Sequence, residues 1–165
     1  MAELFPNVDW FDLVVASGET LYMTIVAMIG TLILGLILGL VLYLTSPDGL
    51  WENKQLHFIV AAIVNIFRAI PFAILIILLL PFTTFLFGTF RGSNAALPAL
   101  IIGAAPFYAR LVEIALREVD NGVIEAAESM GAKVSTIIFK VLLKEAMPAL
   151  VSGITVTTIA LIGYT

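Results

Sequence analysis

The sequence predicts an all-α membrane protein, a polytopic helical bundle in which four spans are visible. Its 165 residues are 61% hydrophobic and only 12% charged, against roughly 45–50% and roughly 25% in soluble domains. The mean hydropathy is +1.12. Because one membrane helix needs about 20 mostly apolar residues, a chain of this length holds four or five spans and leaves no room for a nucleotide-binding domain.

The first predicted span covers 21–44, inside a stretch without a charged side chain. The preceding segment, 1–19, has four acidic residues and no Lys or Arg, so it lacks the basic region of a secretory signal and the helix should remain in the mature protein. Trp10 and Phe11 are typical of an amphipathic stretch on lipid headgroups; an ordinary acidic tail is an equally good interpretation. Small residues recur every four positions and favour close packing, within the chain or with another chain: Ala27, Thr31, Gly35 and Gly39.

The second predicted span covers 57–80 and follows a turn at 46–49 that contains Pro and Gly. Arg68 and Pro71 interrupt it, because a charge is costly in hydrocarbon and Pro removes a backbone hydrogen bond, and Pro81 is expected to close it. Arg68 lies roughly 16 Å along this helix, near the bilayer centre. There it would hold a gate or meet a substrate carboxylate. With a later helix start it would only extend to the cytoplasmic interface.

Residues 81–94 mix apolar and turn-forming side chains and are predicted to form a loop that dips into the membrane interface. The third span follows at 95–116 and contains Pro106. Near its end, Arg110 and Glu113 are three residues apart, so they share one helix face and favour a local ion pair.

A fourth apolar run covers 147–165. Its small and hydroxylated residues either line a path or hydrogen-bond to their own helix: Gly153, Thr155, Thr157, Thr158 and Gly163. Segments 45–57 and 117–145 together hold five basic residues, whereas 1–19 has none and 81–94 has one. The positive-inside rule therefore predicts that 117–145 is cytoplasmic and that the N-terminus is outside.

The cytoplasmic segment divides into two units at Gly131. From 132 to 144, apolar and basic residues fall on different helix faces, which predicts an amphipathic helix along the interface. From 122 to 131, Ala126 and Ala127 are small enough for a partner to approach closely, and Gly131 permits a sharp change of direction. The segment is interpreted as a docking unit or, alternatively, as a helix that packs only on its own protein.

Several classes of function are excluded by residue types. The chain has no Cys, and His57 is its single histidine, which removes Cys-rich metal sites and most triad chemistry. The eight basic residues form no cluster, so no nucleic-acid partner is predicted. No His-Glu-x-x-His or Gly-x-Ser-x-Gly motif is present, so the chain is not expected to be an enzyme or to carry a cofactor.

Beyond these patterns, the chain is similar to a known family. Glu125-Ala126-Ala127, followed after three residues by Gly131 and an Ile/Leu-rich run, resembles the EAA loop of ABC importer permeases. Segments that resemble the methionine importer permeases, within the wider amino-acid uptake group, occur in all four spans: Glu19-Thr20-Leu21, Asn65-Ile-Phe-Arg68-Ala-Ile-Pro71-Phe72, Gly103-Ala-Ala-Pro106-Phe-Tyr-Ala-Arg110 and Ile162-Gly163-Tyr164. Only their combination points to methionine.

The resemblance implies a type I ABC importer permease fold in the bacterial inner membrane, in contact with membrane lipids. In that family two permease copies form the pathway, two cytoplasmic ATP-binding subunits bind the coupling helices, and an extracytoplasmic binding protein delivers the substrate. Within a coupling segment at about 120–145, the implied ATPase contacts are Glu125, Ala126, Ala127, Met130, Gly131 and Ala132. Possible pathway or gate residues are Arg68, Pro71 and Pro106.

Two features depart from the family pattern. The family usually has Pro at the position of Lys144, so the kink before the next span is expected to be softer or to be carried by Pro148. Such permeases usually have a fifth span, so a chain that ends at Thr165 is expected to be truncated. A structural or assembly membrane subunit that does not transport is the alternative function.

Overall fold

The computed structural model describes residues 9–47 and 49–165. Parts of the predicted acidic segment and of the predicted turn at 46–49, namely residues 1–8 and Asp48, lie outside the described residues. The helices follow in chain order: α1 (Trp10–Thr45), α2 (Lys54–Ala69), α3 (Phe72–Phe87), α4 (Ser93–Arg117), α5 (Asn121–Ser129), α6 (Val134–Glu145) and α7 (Met147–Ile162). Within α6, Ile137–Leu142 has π-helical hydrogen bonding.

Two helices of the described chain, α1 and α4, are each long and apolar enough to cross a membrane, and the count rises to four if each bent pair is one span. α1 begins earlier than the predicted 21–44, because the Asp9 carboxylate caps it by accepting hydrogen bonds from the N–H groups of Phe11 and Asp12. Its 36 residues extend about 54 Å at 1.5 Å per residue. Trp10 and Phe11 therefore belong to its first turn.

α1 packs along α4 through the predicted stripe of small residues, all of which are buried. A Cβ added at Gly35 would lie 2.7 Å from the Tyr108 ring, and one at Gly39 would lie 2.5 Å from Val112 Cβ. The neighbour of the stripe is thus a helix of the same chain. Small side chains let the two backbones approach this closely.

The second apolar segment, predicted at 57–80 with an interruption at Arg68 and Pro71, is broken completely at Pro71, because α2 and α3 are separate helices whose axes differ by 111°. Ile70 is extended, with ψ of 124°, as the residue before a proline must be to avoid a clash with the ring, and Pro71 has no N–H to continue the ladder. α2 starts at Lys54, where the Asn53 side chain accepts from Leu56 N–H at 3.0 Å. α2 therefore starts before the predicted residue 57, and not later, as the alternative interpretation of Arg68 required.

Pro81 does not close the second apolar segment, contrary to expectation, and the predicted loop at 81–94 is largely helical. α3 continues through Pro81 to Phe87 and ends at Gly88, which has a left-handed φ of 70°. A proline removes only one hydrogen bond from a helix, and membrane helices tolerate this loss. Only the short connection 88–92 separates α3 from α4.

α6 and α7 meet at a bend of 66°, next to Pro148 in the first turn of α7. A kink is present although Lys144 stands where the family has Pro. The hydroxyls of α7 donate to carbonyls four residues earlier in their own helix: Thr155 to Val151, Thr157 to Gly153 and Thr158 to Ile154. All three therefore hydrogen-bond to their own helix, as one of the two interpretations predicted, and Thr157 also lines a cavity described below.

Candidate functional site

α5 is a nine-residue helix with one buried and one exposed side. Its N-terminus is capped by Asp120, whose Oδ1 accepts from Gly122 N–H at 2.7 Å. Ile124 and Ala127 point into the protein, whereas Glu125 and Ala126 are exposed. Met130, just after the helix, is 81% exposed.

Exposed apolar atoms on α5 form a ridge, because Val123, Ala126 and Met130 are spaced three and four residues apart and share one face. We call these three residues the α5 ridge. Glu125 and Glu128 are also exposed on this helix. The ridge therefore offers a small exposed apolar surface with acidic neighbours.

Gly131 ends α5 with a Schellman motif. Its φ is +76°, its N–H donates to the Glu128 carbonyl at 2.8 Å, and Ala132 N–H donates to the Ala127 carbonyl at 3.1 Å. Apart from its chain neighbours, no atom of the described residues lies within 4 Å of a Cβ built at this position. Glycine is favoured here by the backbone conformation and not by lack of space.

The buried side of α5 belongs to a hydrophobic core that also includes the end of α4 and the apolar face of α6. Val112 and Leu116 of α4 are fully buried in it, as is Leu142 of α6. The predicted amphipathic character of 132–144 is confirmed, since Lys133, Lys140 and Lys144 are all exposed. Because well-packed cores resist compression, α5 is held against Ile137–Leu142 of α6, in a core that it shares with the end of α4.

Glu113 lies beside this core and is only 2% exposed. Its Oε2 accepts from Arg110 Nη1 at 2.6 Å, which confirms the predicted ion pair. Its Oε1 accepts from Arg117 Nε at 3.2 Å and from Arg117 Nη2 at 3.0 Å. The role of Arg117 was missed because the predicted third span ended one residue earlier; its spacing of four from Glu113 was the available signal.

A cavity of about 220 Å³ lies beside the break between α2 and α3. We call it the Arg68 cavity. Arg68 lines it, together with side chains from α2, α3, α4 and α7 and with Tyr164 after α7: Phe67, Phe72, Leu75, Phe107, Thr157 and Tyr164. Of the other predicted pathway residues, Pro71 forms the break itself, and Pro106 is buried in α4 next to Phe107.

The rings of Phe72 and Tyr164 stack with centroids 4.2 Å apart and an interplanar angle of 21°. Both residues also line a second cavity, of about 190 Å³, which includes Met23, Ala96 and Leu100. We call it the Met23 cavity. The stacked pair therefore lies between two cavities. Sequence reasoning assigned neither ring a role, because the contact joins residues 92 positions apart along the chain.

Known proteins resemble this chain along most of its length. Residues 31–165 match the model of the family described as binding-protein-dependent transport system inner membrane component. The methionine import system permease protein MetP of Bacillus subtilis is 69% identical over 161 residues, which are 98% of this chain and 72% of that protein. The D-methionine transport system permease protein MetI of Escherichia coli K12 is 49% identical over 146 residues, which are 88% of this chain and 67% of that protein.

Solved structures show the same fold. A chain of the MetNI methionine ABC transporter in an inward-facing conformation superposes with a TM-score of 0.91 at 48% identity, over 94% of this chain and 72% of that chain. An amino acid ABC transporter crystallised with histidines gives a TM-score of 0.69 at 20% identity, over 96% of this chain and 74% of that chain. The second likeness concerns the fold alone.

Proposed function

Because the chain belongs to the family of binding-protein-dependent transport system inner membrane components, as its resemblance to importer permeases predicted, we propose that it is the permease subunit of an ATP-driven importer for methionine. The substrate is taken from the relatives, which include a methionine import permease 69% identical to this chain. The chain itself supplies no catalytic group. ATP hydrolysis takes place in partner subunits.

The observation that carries this proposal is the position of α5, which is exposed on one side and on the other packs against α6 in a core shared with the end of α4. A helix that is anchored in this way transmits a push to the helices beneath it instead of yielding locally. We propose that the α5 ridge and Glu125 contact a cytoplasmic ATP-binding subunit, with Ala127 as the anchor and Gly131–Ala132 as the turn. Two ATP-binding subunits would engage two permease copies, one at each α5.

The orientation of the permease in the membrane and the positions of its partner proteins follow from the charge distribution and from the family. Segment 117–145 faces the cytoplasm and the N-terminus lies outside, in agreement with five basic residues against one. An extracytoplasmic binding protein delivers methionine to the opposite side. Closure of the two ATPases moves the α5 helices together and switches the pathway between inward and outward openings by rigid-body motion. Arg68, Pro71 and Pro106 lie along or beside that pathway.

The test is to insert a charge into the α5 ridge. Met130→Glu changes an 81% exposed side chain, so the protein should fold and insert normally. At an interface, burying this unpaired carboxylate should cost about 2 kcal/mol or more, which weakens ATPase binding about 30-fold. Co-purification with the ATP-binding subunit and methionine-stimulated ATP hydrolysis in proteoliposomes measure this effect.

A matched control is Gln55→Glu, which introduces the same charge at an exposed position in the first turn of α2. This variant should bind the ATPase and take up methionine like the wild type. Normal co-purification and uptake by Met130→Glu would contradict the docking role of the ridge. A wild-type chain that binds the ATPase but never transports would instead support the structural subunit.

A further inference from the structure

We propose that the Arg68 cavity is a binding site for one α-amino acid with an apolar side chain, held by a salt bridge between its carboxylate and the Arg68 guanidinium. The inference rests on the proposed importer function and assigns the substrate a place inside the permease. The positive charge of Arg68 has no ion-pair partner among the described residues.

Arg68 lies in the last turn of α2, and its side chain is exposed at the wall of the cavity. A charged side chain in a membrane segment is costly and is retained where it faces protein or water and serves a function. Arg110 and Arg117 both pair with Glu113, whereas Arg68 has no ion-pair partner within 9–47 and 49–165. An anion that enters the cavity therefore meets a guanidinium whose donors are available for bidentate pairing.

The walls of the cavity suit the rest of an amino acid. Phe67, Phe72 and Phe107 provide aromatic surface for an apolar side chain. Thr157 donates its hydroxyl hydrogen to the Gly153 carbonyl, which leaves oxygen lone pairs that an ammonium group can use. Pro71 has no N–H, so the carbonyl of Phe67, a residue that lines the cavity, lacks its helical donor.

The size of the cavity sets a limit on the ligand. About 220 Å³ is below the roughly 300–1,000 Å³ of sites that take drug-sized ligands, a volume suited to a single amino acid. Gly103 contributes to this volume, because a Cβ there would be 3.0 Å from the Phe72 ring. A glycine at this point of α4 lets Phe72 lie flat against the helix.

The Phe72–Tyr164 stack closes the site toward the Met23 cavity. Since both rings line both cavities, an amino acid that passes from one to the other must separate them. The stack is therefore the barrier on one side of the Arg68 site.

The experiment uses the complete complex, with its ATP-binding subunit and binding protein, in proteoliposomes. A diazirine analogue of methionine is delivered, the sample is irradiated, and cross-linked permease peptides are mapped by mass spectrometry. Cross-links should fall on 67–75, 103–107 and 157–164. Arg68→Gln should raise the KM for methionine uptake about tenfold or more and abolish these cross-links, because a charge-assisted pair is lost. Arg68→Lys should retain most of both.

Arg91→Gln is the matched control, since it removes a positive charge from the connection 88–92, outside the cavity, and should leave KM unchanged. Methionine affinity of the isolated binding protein is measured separately and excludes an effect on delivery. Cross-links confined to other segments, or a wild-type KM for Arg68→Gln, would overturn the site while leaving the importer intact. Absence of methionine uptake by the wild-type complex would instead overturn the proposed function. If Arg68→Gln does not assemble, the cross-link map of the wild-type complex still tests whether methionine binds in the Arg68 cavity.

Discussion

Replacing Gly39 by Ala should separate α1 from α4. A Cβ at Gly39 would lie 2.5 Å from Val112 Cβ and 2.7 Å from the Ala109 carbonyl oxygen. Ordinary contacts between carbon atoms need about 3.5 Å, so the helices must move apart by about 1 Å. A change of side-chain rotamer cannot relieve the clash, because one of the contacts is backbone.

The size of the effect follows from a comparison with Gly18, in the same helix, where a Cβ would meet no atom of the described part of the chain within 4 Å. Both substitutions gain the same helix propensity, about 1 kcal/mol, and only Gly39→Ala overpacks a buried contact, at a cost of about 1–3 kcal/mol. Because backbone must shift, we expect the upper part of this range. The two variants should then differ by about 3 kcal/mol, or more than 100-fold in the unfolding equilibrium.

Titration of the detergent-solubilised protein with a denaturing detergent, followed by circular dichroism, measures this difference. Gly18→Ala should unfold at the wild-type concentration or above it, and Gly39→Ala well below it. Equal midpoints for the two variants would refute the claim that the small-residue stripe determines the distance between α1 and α4.

Two further substitutions test the segment around α5. Glu113→Gln removes the carboxylate shared by Arg110 and Arg117 and should lower the free energy of unfolding by about 1.5 kcal/mol, the lower end for charged hydrogen bonds because both arginine side chains are nearly half exposed. The exposed Glu118→Gln is its control, and identical denaturation midpoints would argue against the prediction. Gly131→Ala should destabilise the turn after α5 by about 1–2 kcal/mol, since its φ is +76°. Faster hydrogen exchange of the α5 amides would report this loss, and unchanged exchange would count against it.

Local sequence patterns predicted those features that depend on contacts between residues close together in the sequence. The faces of α6 follow from helical periodicity, the turn at Gly131 from glycine chemistry, and the Arg110–Glu113 pair from a spacing of three. Pro71 predicted that the second apolar segment is interrupted. In each of these cases the structural feature is determined by residues within one or two helical turns of one another.

Other features depend on contacts that no local pattern contains. Pro71 marks a break, but the 111° angle between α2 and α3 depends on how each helix packs against α4. Pro81 was interpreted as a helix end by a rule for soluble proteins, whereas helix α3 continues because backbone hydrogen bonds are hard to replace in a membrane. The Phe72–Tyr164 stack joins distant parts of the chain and could not be predicted from either segment.

The distribution of packing also indicates which parts of the permease should move together. α4 packs against α1 along the glycine stripe, against Phe72 through Gly103, and also against α2 and α7. α5 instead packs mainly against Ile137–Leu142 of α6 and shares a buried core with the end of α4. Packed contacts transmit displacement without absorbing it, so α5 and α6 should move together in response to an ATPase. Thr157 and Tyr164, which line the Arg68 cavity, lie in and just after α7. Because α6 leads into α7 at the bend of 66°, a push on α5 would reach the cavity through α6 and α7.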